Sequence, residues 1–486
     1  MRRLQNYKVN KKANASKICF DIVKFIKSYT KNNYSLKNIV SEISKISGLP
    51  TEILNQKVHQ ILYRDFNFKK NKFENYSLLF LIADFLKYYI IVLINILGYF
   101  IFNKNKKKKN FEMICDHVFD QNDVDRYSSL IKIFKNVCLI GTNKKKHKIK
   151  SEYYFKYNYL NLGDSKLPLK ERFSYFFLGF KILYFSIIFK INFYRIGNLL
   201  IYDLLKSNHI FSNIKGKYYI TYKFYDTSPI FNFFFKKTGG YKVSCVQKNL
   251  LAYTISCFAF SDILFTLGKG QGNICNKLGG RIKKIIPVGS LFMENDWFNK
   301  KKDLKNVPKS DVLIVGINTL RNTNHYVNNV YKNDYYNIFL DWINQLAEDF
   351  PKLKIILKHH KNYTLDTAEN KKMSKSKLKI LVKNKSINST YAYTHKSTLV
   401  LSFCSTMILE TLGHGKKAYF IDPGLRGTQW FDDLKKINPF RLSEYNDLKE
   451  LVIKRNSLKK VDYINRDHYC LHSANVSEKI ARNLKK

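Results

Sequence analysis

The feature that most constrains the fold is a series of short, almost entirely apolar segments separated by helical ones. Five such segments lie between residues 136 and 289 (NVCLIG, KYYITY, YKVSCV, DILFTLG, KKIIPVG), and four lie between 311 and 422 (DVLIVGI, LKIILK, STLVLSF, KAYFID). Strands that are apolar on both faces are typical of parallel sheets covered by helices. A polar, lysine-rich stretch separates the two series. The sequence therefore predicts an α/β protein with two doubly wound domains facing each other.

The chain before these series has a different pattern. Residues 34–68 predict two helices, because apolar residues share one face until Gly48-Leu49-Pro50 breaks the pattern. We divide the chain into an N-terminal helical accessory region (1–75), an apolar and basic membrane-associating segment (76–130), a first α/β domain (131–305), a second α/β domain (306–455) and a C-terminal closing helix (456–486).

The strongest apolar run, Tyr88–Phe102, is followed at once by the basic cluster NKNKKKKN. It is shorter than the roughly 20 residues that span a bilayer, and extending it back to residue 78 includes Asp84 and Lys87. A second apolar stretch, 173–205, is interrupted by basic residues. Helices that lie in the plane of an anionic membrane suit this pattern. Buried core helices, or one transmembrane helix near 78–102, are the alternatives.

The formal net charge of +48 favours polyanionic partners, which include nucleic acid, anionic lipid and phosphorylated substrates. No helix-turn-helix, RNA-recognition or zinc-finger signature is present, so no specific nucleic-acid partner is expected. The eight cysteines include no CxxC pair. This excludes a zinc ribbon and fits a reducing compartment. Without a signal peptide, we expect a cytoplasmic protein, peripheral or monotopic on the inner face of the cell membrane.

Polar residues follow two strands of the second series, where ligands bind in open α/β sheets. The loop after the first strand carries Asn318 and Arg321, and the next strand ends in Lys358-His359-His360. A lysine and two imidazoles at this edge suit a diphosphate, or the protonation of a leaving phosphate oxygen. A solvated, basic strand end in a basic protein is the alternative.

The third strand of the second series runs into a helix through Ser402, Ser405 and Thr406. Hydroxyls and free amides at a helix N-terminus bind anions. Glu410 follows about one turn later, where a carboxylate accepts hydrogen bonds from vicinal ribose hydroxyls. An ordinary N-cap and a solvated helix carboxylate are the alternatives.

The segments LIVGIN, IILKHH and VLSFCSTMILETLGHGKKAYFIDPG together resemble the donor-binding domain of GT-B glycosyltransferases, which have two Rossmann-like domains. The branch that is most similar makes bacterial surface carbohydrate and capsule, and includes polysialyltransferases and CDP-glycerol glycerophosphotransferases. The resemblance covers about residues 215–430. Where this branch often has Gln-His-Gly, the chain has Gln247-Lys248-Asn249.

The resemblance implies that Ser405 and Thr406 bind nucleotide phosphates, that Glu410 binds the ribose, and that His359 acts at the donor phosphate. It implies no bound metal and no cofactor, because basic residues and helix ends stabilise the leaving phosphate. A general base should come from the first domain. Asp226, at the end of a strand, is the candidate, and a turn or cap carboxylate is its alternative.

The function predicted from the sequence is transfer of a sugar from a nucleotide-activated donor to a surface polysaccharide or lipid-linked acceptor. A nucleotide-sugar epimerase of the same fold and a glycerophosphate-type polymer transferase are alternatives. A non-enzymatic protein that binds polyanions or membranes is a further one. The expected partners are the nucleotide-sugar donor, the glycan or lipid-linked acceptor and an anionic membrane surface.

Overall fold

The computed structural model describes residues 15–67, 72–73, 78–102, 107–118, 124–125, 127–141, 153–156, 160–165, 167–223, 227–248, 256–294, 307–316, 334–358, 378–381, 388–403, 405–423, 438–459 and 463–486. The chain divides into two compact units. The first contains Met1–Val246, Ser256–Leu264 and Cys275–Lys284, and the second contains Gln247–Ile255, Phe265–Ile274 and Ile285–Lys486.

The described chain as far as residue 287 forms helices, a small antiparallel sheet of β1 and β2, and a large sheet of β3 to β9. Its helices are α1 (Ala15–Asn32), α2 (Tyr34–Ser47), α3 (Thr51–Asp65), α4 (Leu78–Ile101), α5 (Ser128–Ile133), α6 (Leu169–Phe189), α7 (Phe193–Asn213), α8 (Pro229–Lys237) and α9 (Asn273–Lys277). Its strands are β1 (Phe66–Asn67), β2 (Lys72–Phe73), β3 (Lys109–Cys115), β4 (Val137–Gly141), β5 (Tyr154–Lys156), β6 (Ile214–Thr221), β7 (Lys242–Val246), β8 (Phe260–Thr266) and β9 (Arg281–Pro287).

The first sheet has the strand order β5-β4-β3-β6-β7-β8-β9, and neighbouring strands from β5 to β7 are parallel. The chain enters at β3, adds β4 and β5 on one side, and then adds β6 to β9 on the other. The direction of winding therefore reverses between β3 and β6, where Cys115 pairs with Ile220. In doubly wound sheets, the carboxyl ends of such a strand pair flank the ligand crevice.

The remainder of the described chain forms the second sheet and seven further helices. The helices are α10 (Leu291–Met293), α11 (Asp334–Asp349), α12 (Asn388–Lys396), α13 (Thr406–Gly413), α14 (Tyr445–Ile453), α15 (Tyr463–Tyr469) and α16 (Val476–Lys485). The strands are β10 (Ser310–Val315), β11 (Ile355–Lys358), β12 (Lys379–Leu381), β13 (Ser397–Ser402), β14 (Lys417–Ile421) and β15 (Arg441–Leu442).

The second sheet is parallel throughout its described strands, in the order β12-β11-β10-β13-β14-β15. Alternate residues of a strand point to opposite faces. Val312 and Ile314 of β10 therefore lie in one apolar core with α11 and α14, whereas Leu313 and Val315 lie in another with α13. Burial on both faces explains why these strands are continuous apolar runs.

The predicted fold class, α/β with two parallel sheets and N-terminal helices, is confirmed. The nine apolar segments all form strands, and the break after α2 is present, where Gly48 has φ +67°. Residues 173–205 do not form one helix, because Lys190 adopts a left-handed conformation between α6 and α7. The C-terminal segment 456–486, predicted to contain one closing helix, contains two, α15 and α16.

Candidate active site at the edge of the second sheet

The second sheet reverses its winding between β10 and β13. The chain passes from β10 to β11 and β12 on one side, and then to β13, β14 and β15 on the other. Val315, the last residue of β10, pairs with Lys358 at the end of β11 and with Ser402 at the end of β13. Two of the residues predicted from the sequence thus flank the strand end where a ligand crevice is expected.

Lys358 is almost completely buried, with 5% of its surface exposed. No ion pair joins it to a carboxylate within the described part of the chain. Burial lowers the pKa of its ammonium group to about 8, because removal from water disfavours the charged form. A buried cation that lacks a counter-charge is costly unless an anion binds beside it.

Replacing Lys358 with methionine should therefore stabilise the ligand-free protein at pH 7, by at most about 3 kcal/mol for a pKa lowered from 10.5 to about 8. Below pH 8 the Lys358 ammonium is charged in both the folded and the unfolded chain, so the folded wild type bears the full free-energy cost of burying this charge. Between pH 8 and 10.5 only the unfolded chain keeps the proton, so wild-type stability rises and the advantage of methionine declines. Denaturant unfolding at pH 7 and pH 9.5 measures both effects.

The exposed Lys354, just before the same strand, is the matched control. Its replacement by methionine should change the free energy of unfolding by no more than about 0.5 kcal/mol at either pH. Equal effects of the two substitutions would contradict a costly charge at Lys358.

The hydroxyl groups at the β13–α13 junction have separate structural roles. Ser402 is buried, and its Oγ donates a hydrogen bond of 2.8 Å to the carbonyl of Val315, which joins the two central strands. Ser405 is the N-cap of α13, and its Oγ accepts a hydrogen bond of 3.2 Å from the Met407 N–H. Thr406 begins the helix. The first-turn amides of α13 thus lie directly after β13, where the helix dipole favours an anion.

Glu410 lies one turn into α13, and it is buried rather than solvated. Its Oε1 accepts hydrogen bonds from the Ser290 hydroxyl and, at 3.0 Å, from the Tyr391 hydroxyl. Burial raises the pKa of the carboxyl group to about 7, although both hydrogen bonds oppose this shift. Glu410 is therefore partly protonated near neutral pH, in a carboxyl group whose orientation is fixed.

Sequence reasoning did not identify Ser290 and Tyr391 as partners of Glu410. Ser290 is the N-cap of α10, where its Oγ also accepts a hydrogen bond from Met293 N–H, and a serine before an apolar turn is a recognisable signal for that role. Tyr391 lies in α12, where no sequence pattern links it to Glu410.

The other predicted site residues, Asn318, Arg321, His359, His360 and Asp226, lie outside the described residues. Their proposed roles stay predictions. In the part of the chain that the structure describes, no group of histidine, cysteine or carboxylate side chains is arranged to hold a metal ion.

Comparison with known proteins gives neighbours by structure only. No family model matches the sequence, and no curated protein matches it. The wall teichoic acid polymerase TagF is 10% identical, with a TM-score of 0.48, over 84% of this chain and 97% of that one. The UDP-GlcNAc 2-epimerase from Neisseria meningitidis bound to UDP-GlcNAc is 12% identical, with a TM-score of 0.45, over 77% of this chain and 99% of that one. The UDP-N-acetylglucosamine 2-epimerase from Rickettsia bellii is 11% identical, with a TM-score of 0.43, over 77% and 96%.

These neighbours are enzymes of the GT-B type. At identities of 10–12% and TM-scores below 0.5, this likeness carries no argument about the activity of this chain.

Proposed function

We propose that this chain is a glycosyltransferase that moves a sugar from a nucleotide-activated donor to a surface polysaccharide or a lipid-linked acceptor. One observation carries the proposal. The second sheet reverses its winding between β10 and β13. The buried Lys358, which forms no ion pair within the described residues, ends β11 beside the end of β10, and a helix N-terminus capped by Ser405 follows β13.

The chemistry of group transfer explains this combination. A departing nucleotide carries negative charge on its phosphates, which a cation and helix amides stabilise without a metal ion. The carboxylate of Glu410, one turn further along α13, suits the two ribose hydroxyls. Ser405 and Thr406 at the helix end suit the phosphates. His359 and His360, which follow Lys358 directly, are the candidates for acting on the leaving phosphate oxygen.

The acceptor hydroxyl needs a base, for which Asp226 in the first unit is the candidate from the sequence. A nucleotide-sugar epimerase would use the same donor site but convert the donor without any acceptor. A glycerophosphate-type transferase would release CMP from CDP-glycerol. These two reactions stay open because they place the same demands on the second unit.

The proposal places the enzyme on the inner face of the cell membrane, through α4 and α6. These helices pack against each other, and each leaves one apolar side exposed. We call these sides the apolar stripes; their exposed members recur every three or four residues and include Leu78, Ile82, Leu86, Ile90, Leu93, Leu97 and Ile101 on α4, and Phe173, Phe177, Phe180, Tyr184 and Ile188 on α6. Exposed Lys107, Lys108 and Lys109 follow α4 and suit anionic headgroups.

Both helices are long and apolar enough to cross a bilayer. The opposite side of α4, however, is attached to protein by polar contacts. Asn192 donates a hydrogen bond of 2.7 Å to Asp84, and Ser165 donates one of 3.0 Å to the buried Asn95. These contacts favour a helix that lies in the plane of the membrane over one that spans it.

A thermal-unfolding screen tests the donor site. UDP, UDP-GlcNAc, CDP and CDP-glycerol would each be added at saturating concentration. We expect at least one to stabilise the protein by about 2–3 kcal/mol at 100 times its Kd, and thus to raise the Tm by several degrees. The absence of any shift would overturn the donor site. NMR of the responsive compound, incubated without acceptor, then distinguishes an epimerase from a transferase.

A further inference from the structure

The first sheet has its own reversal of winding, between β3 and β6, and a polar cluster lies at the carboxyl ends of these two strands. β3 ends at Cys115 and is followed directly by Asp116 and His117, while β6 ends at Thr221. Neither Asp116 nor His117 has a role in the donor site. Their position is the one where doubly wound sheets bind ligands.

Asp116 is a buried carboxylate with three donors around it. Its Oδ1 accepts a hydrogen bond of 2.6 Å from the His117 backbone N–H, and its Oδ2 accepts one of 2.7 Å from the Tyr219 hydroxyl. Oδ2 also lies 3.3 Å from His117 Nδ1. Although burial opposes ionisation, the charges of His117 and Lys206 and the two hydrogen bonds hold the Asp116 pKa below its usual value.

The imidazole of His117 is held in place through its Nδ1. This atom lies 3.1 Å from Thr221 Oγ1, as well as beside the Asp116 carboxylate. The contact with Thr221 joins the end of β3 to the end of β6, and Thr221 Oγ1 is itself held there by a hydrogen bond of 3.2 Å from the Lys223 N–H. A carboxylate beside Nδ1 favours the tautomer with hydrogen on Nδ1, which leaves Nε2 as the basic nitrogen.

The backbone at His117 is strained, with φ at +60°. The Tyr222 hydroxyl donates a hydrogen bond of 2.7 Å to the His117 carbonyl and holds this conformation. Residues other than glycine keep such a conformation only where their surroundings enforce it, and such residues cluster at functional sites. The side chain is 15% exposed, so the imidazole is reachable from solvent.

We propose that His117 is the catalytic base of the first unit and that Asp116 is its positioning residue. The role of His117 rests on the proposed transferase function. Nε2 of the neutral imidazole takes the proton from the acceptor hydroxyl while that oxygen forms its bond to the reacting carbon of the donor. The bond from this carbon to the phosphate oxygen breaks, and the nucleotide leaves with the electron pair. The imidazolium then gives its proton to water.

Several other titratable groups lie close enough to Asp116 and His117 to influence the pH dependence of the two residues. They are Lys206 on α7, Tyr219 on β6, Tyr127 before α5, and the buried thiols Cys115 and Cys138. Lys206 favours the ionised form of Asp116. Asp116 in turn favours protonation of His117 by its charge.

The test uses the full chain with His117→Gln and Asp116→Asn. His117→Gln should lower kcat by about 100-fold or more, the usual contribution of a general base, and leave the nucleotide-induced Tm shift unchanged. Asp116→Asn should lower the imidazole pKa of His117, measured by NMR of histidine-labelled protein, because it removes the neighbouring negative charge. The acidic limb of the kcat/KM profile should move to lower pH by the amount that the NMR titration gives.

His209→Gln is the matched control, because His209 also lies beside an aspartate, Asp164, but within a helix. It should leave kcat within about threefold of wild type, since it lies outside the strand ends. A His117→Gln variant with near-normal kcat, together with an inactive Asp226→Asn variant, would overturn the assignment in favour of Asp226.

The experiments distinguish a failure of the transferase function from a failure of the coupling between Asp116 and His117. If the wild type transfers no group from any donor, the proposed function is wrong. The NMR titration then remains as the test of the coupling between Asp116 and His117. A His117 pKa that moves by less than about 0.3 unit in Asp116→Asn would then overturn the coupling of the two residues.

Discussion

Replacing Glu410 with glutamine is expected to weaken binding of the nucleotide that responds in the thermal screen by about 10- to 100-fold. A hydrogen bond to a charged group contributes about 1.5–3 kcal/mol, which corresponds to this range. Glutamine preserves the shape of the side chain and still accepts hydrogen bonds from Ser290 and Tyr391. The loss therefore reports the carboxylate charge rather than a cavity in α13. Isothermal titration at pH 8 measures it.

The pH dependence gives a second readout of the same prediction. Glu410 has a pKa of about 7 and should bind ribose hydroxyls best when ionised. Affinity for a nucleoside diphosphate sugar, whose bridging phosphates do not titrate near neutrality, should rise between pH 6 and pH 8. Tyr391→Phe removes a hydrogen bond that lowers this pKa, so the rise should move to higher pH. In Glu410→Gln the rise should be absent.

Glu450 on α14 provides the matched control, because it is an exposed carboxylate of the same unit, paired with Lys454. Glu450→Gln should leave nucleotide affinity unchanged. The alternative role of Glu410 is purely structural, a link between α10, α12 and α13. If Glu410→Gln binds every nucleotide with wild-type affinity, that structural role is the correct one.

The sheets could be predicted from the sequence because burial on both faces leaves a continuous apolar run. β3 is not predicted from the sequence because its first two residues, Lys109 and Asn110, are exposed and continue a lysine cluster, and Glu112 interrupts the apolar residues that follow. β12 and β15 have three and two residues, too few for any periodicity. Because β3 is not predicted, Asp116 and His117 are not recognised in the sequence as residues that follow a strand.

The donor site could be predicted only as far as local sequence determines it. The strand-to-helix junction and the cap at Ser405 are local features, and both are present. The surroundings of Glu410 depend on Ser290, 120 residues away in the sequence, and on Tyr391 in another helix. The burial of Lys358 likewise follows from packing on both sides of β11. Long-range contacts of this kind set the pKa values, and no pattern along the chain encodes them.

Replacing four members of the α4 apolar stripe with serine (Leu86, Ile90, Leu93 and Leu97) is expected to reduce binding to anionic vesicles by about 100-fold or more. Each side chain is about half exposed, so its transfer into the membrane contributes about 1 kcal/mol. The sum of about 4 kcal/mol corresponds to nearly three decades in the partition coefficient. Co-sedimentation with phosphatidylglycerol-containing vesicles, at low and high salt, measures the loss.

Tyr241 and Ile453 are similarly exposed apolar side chains on other parts of the chain, and their replacement by serine should leave vesicle binding unchanged. Equal binding of the fourfold variant and the wild type would contradict the membrane role of α4.

Labelling of the two ends of α4 measures the orientation of this helix in the membrane. The described cysteines are all buried, so Ser77→Cys and Asn110→Cys, which lie before and after α4 in the sequence and outside the apolar stripes, introduce reactive thiols against a low background. An in-plane helix should expose both thiols to a membrane-impermeant reagent on the same side of sealed vesicles, whereas a spanning helix exposes them on opposite sides. We expect the first result, because a spanning α4 would have to give up the hydrogen bonds of Asp84 and Asn95 to the rest of the protein. The buried Asn95 and the half-buried Asp84 would then lie in hydrocarbon without their partners, at a cost of several kcal/mol each.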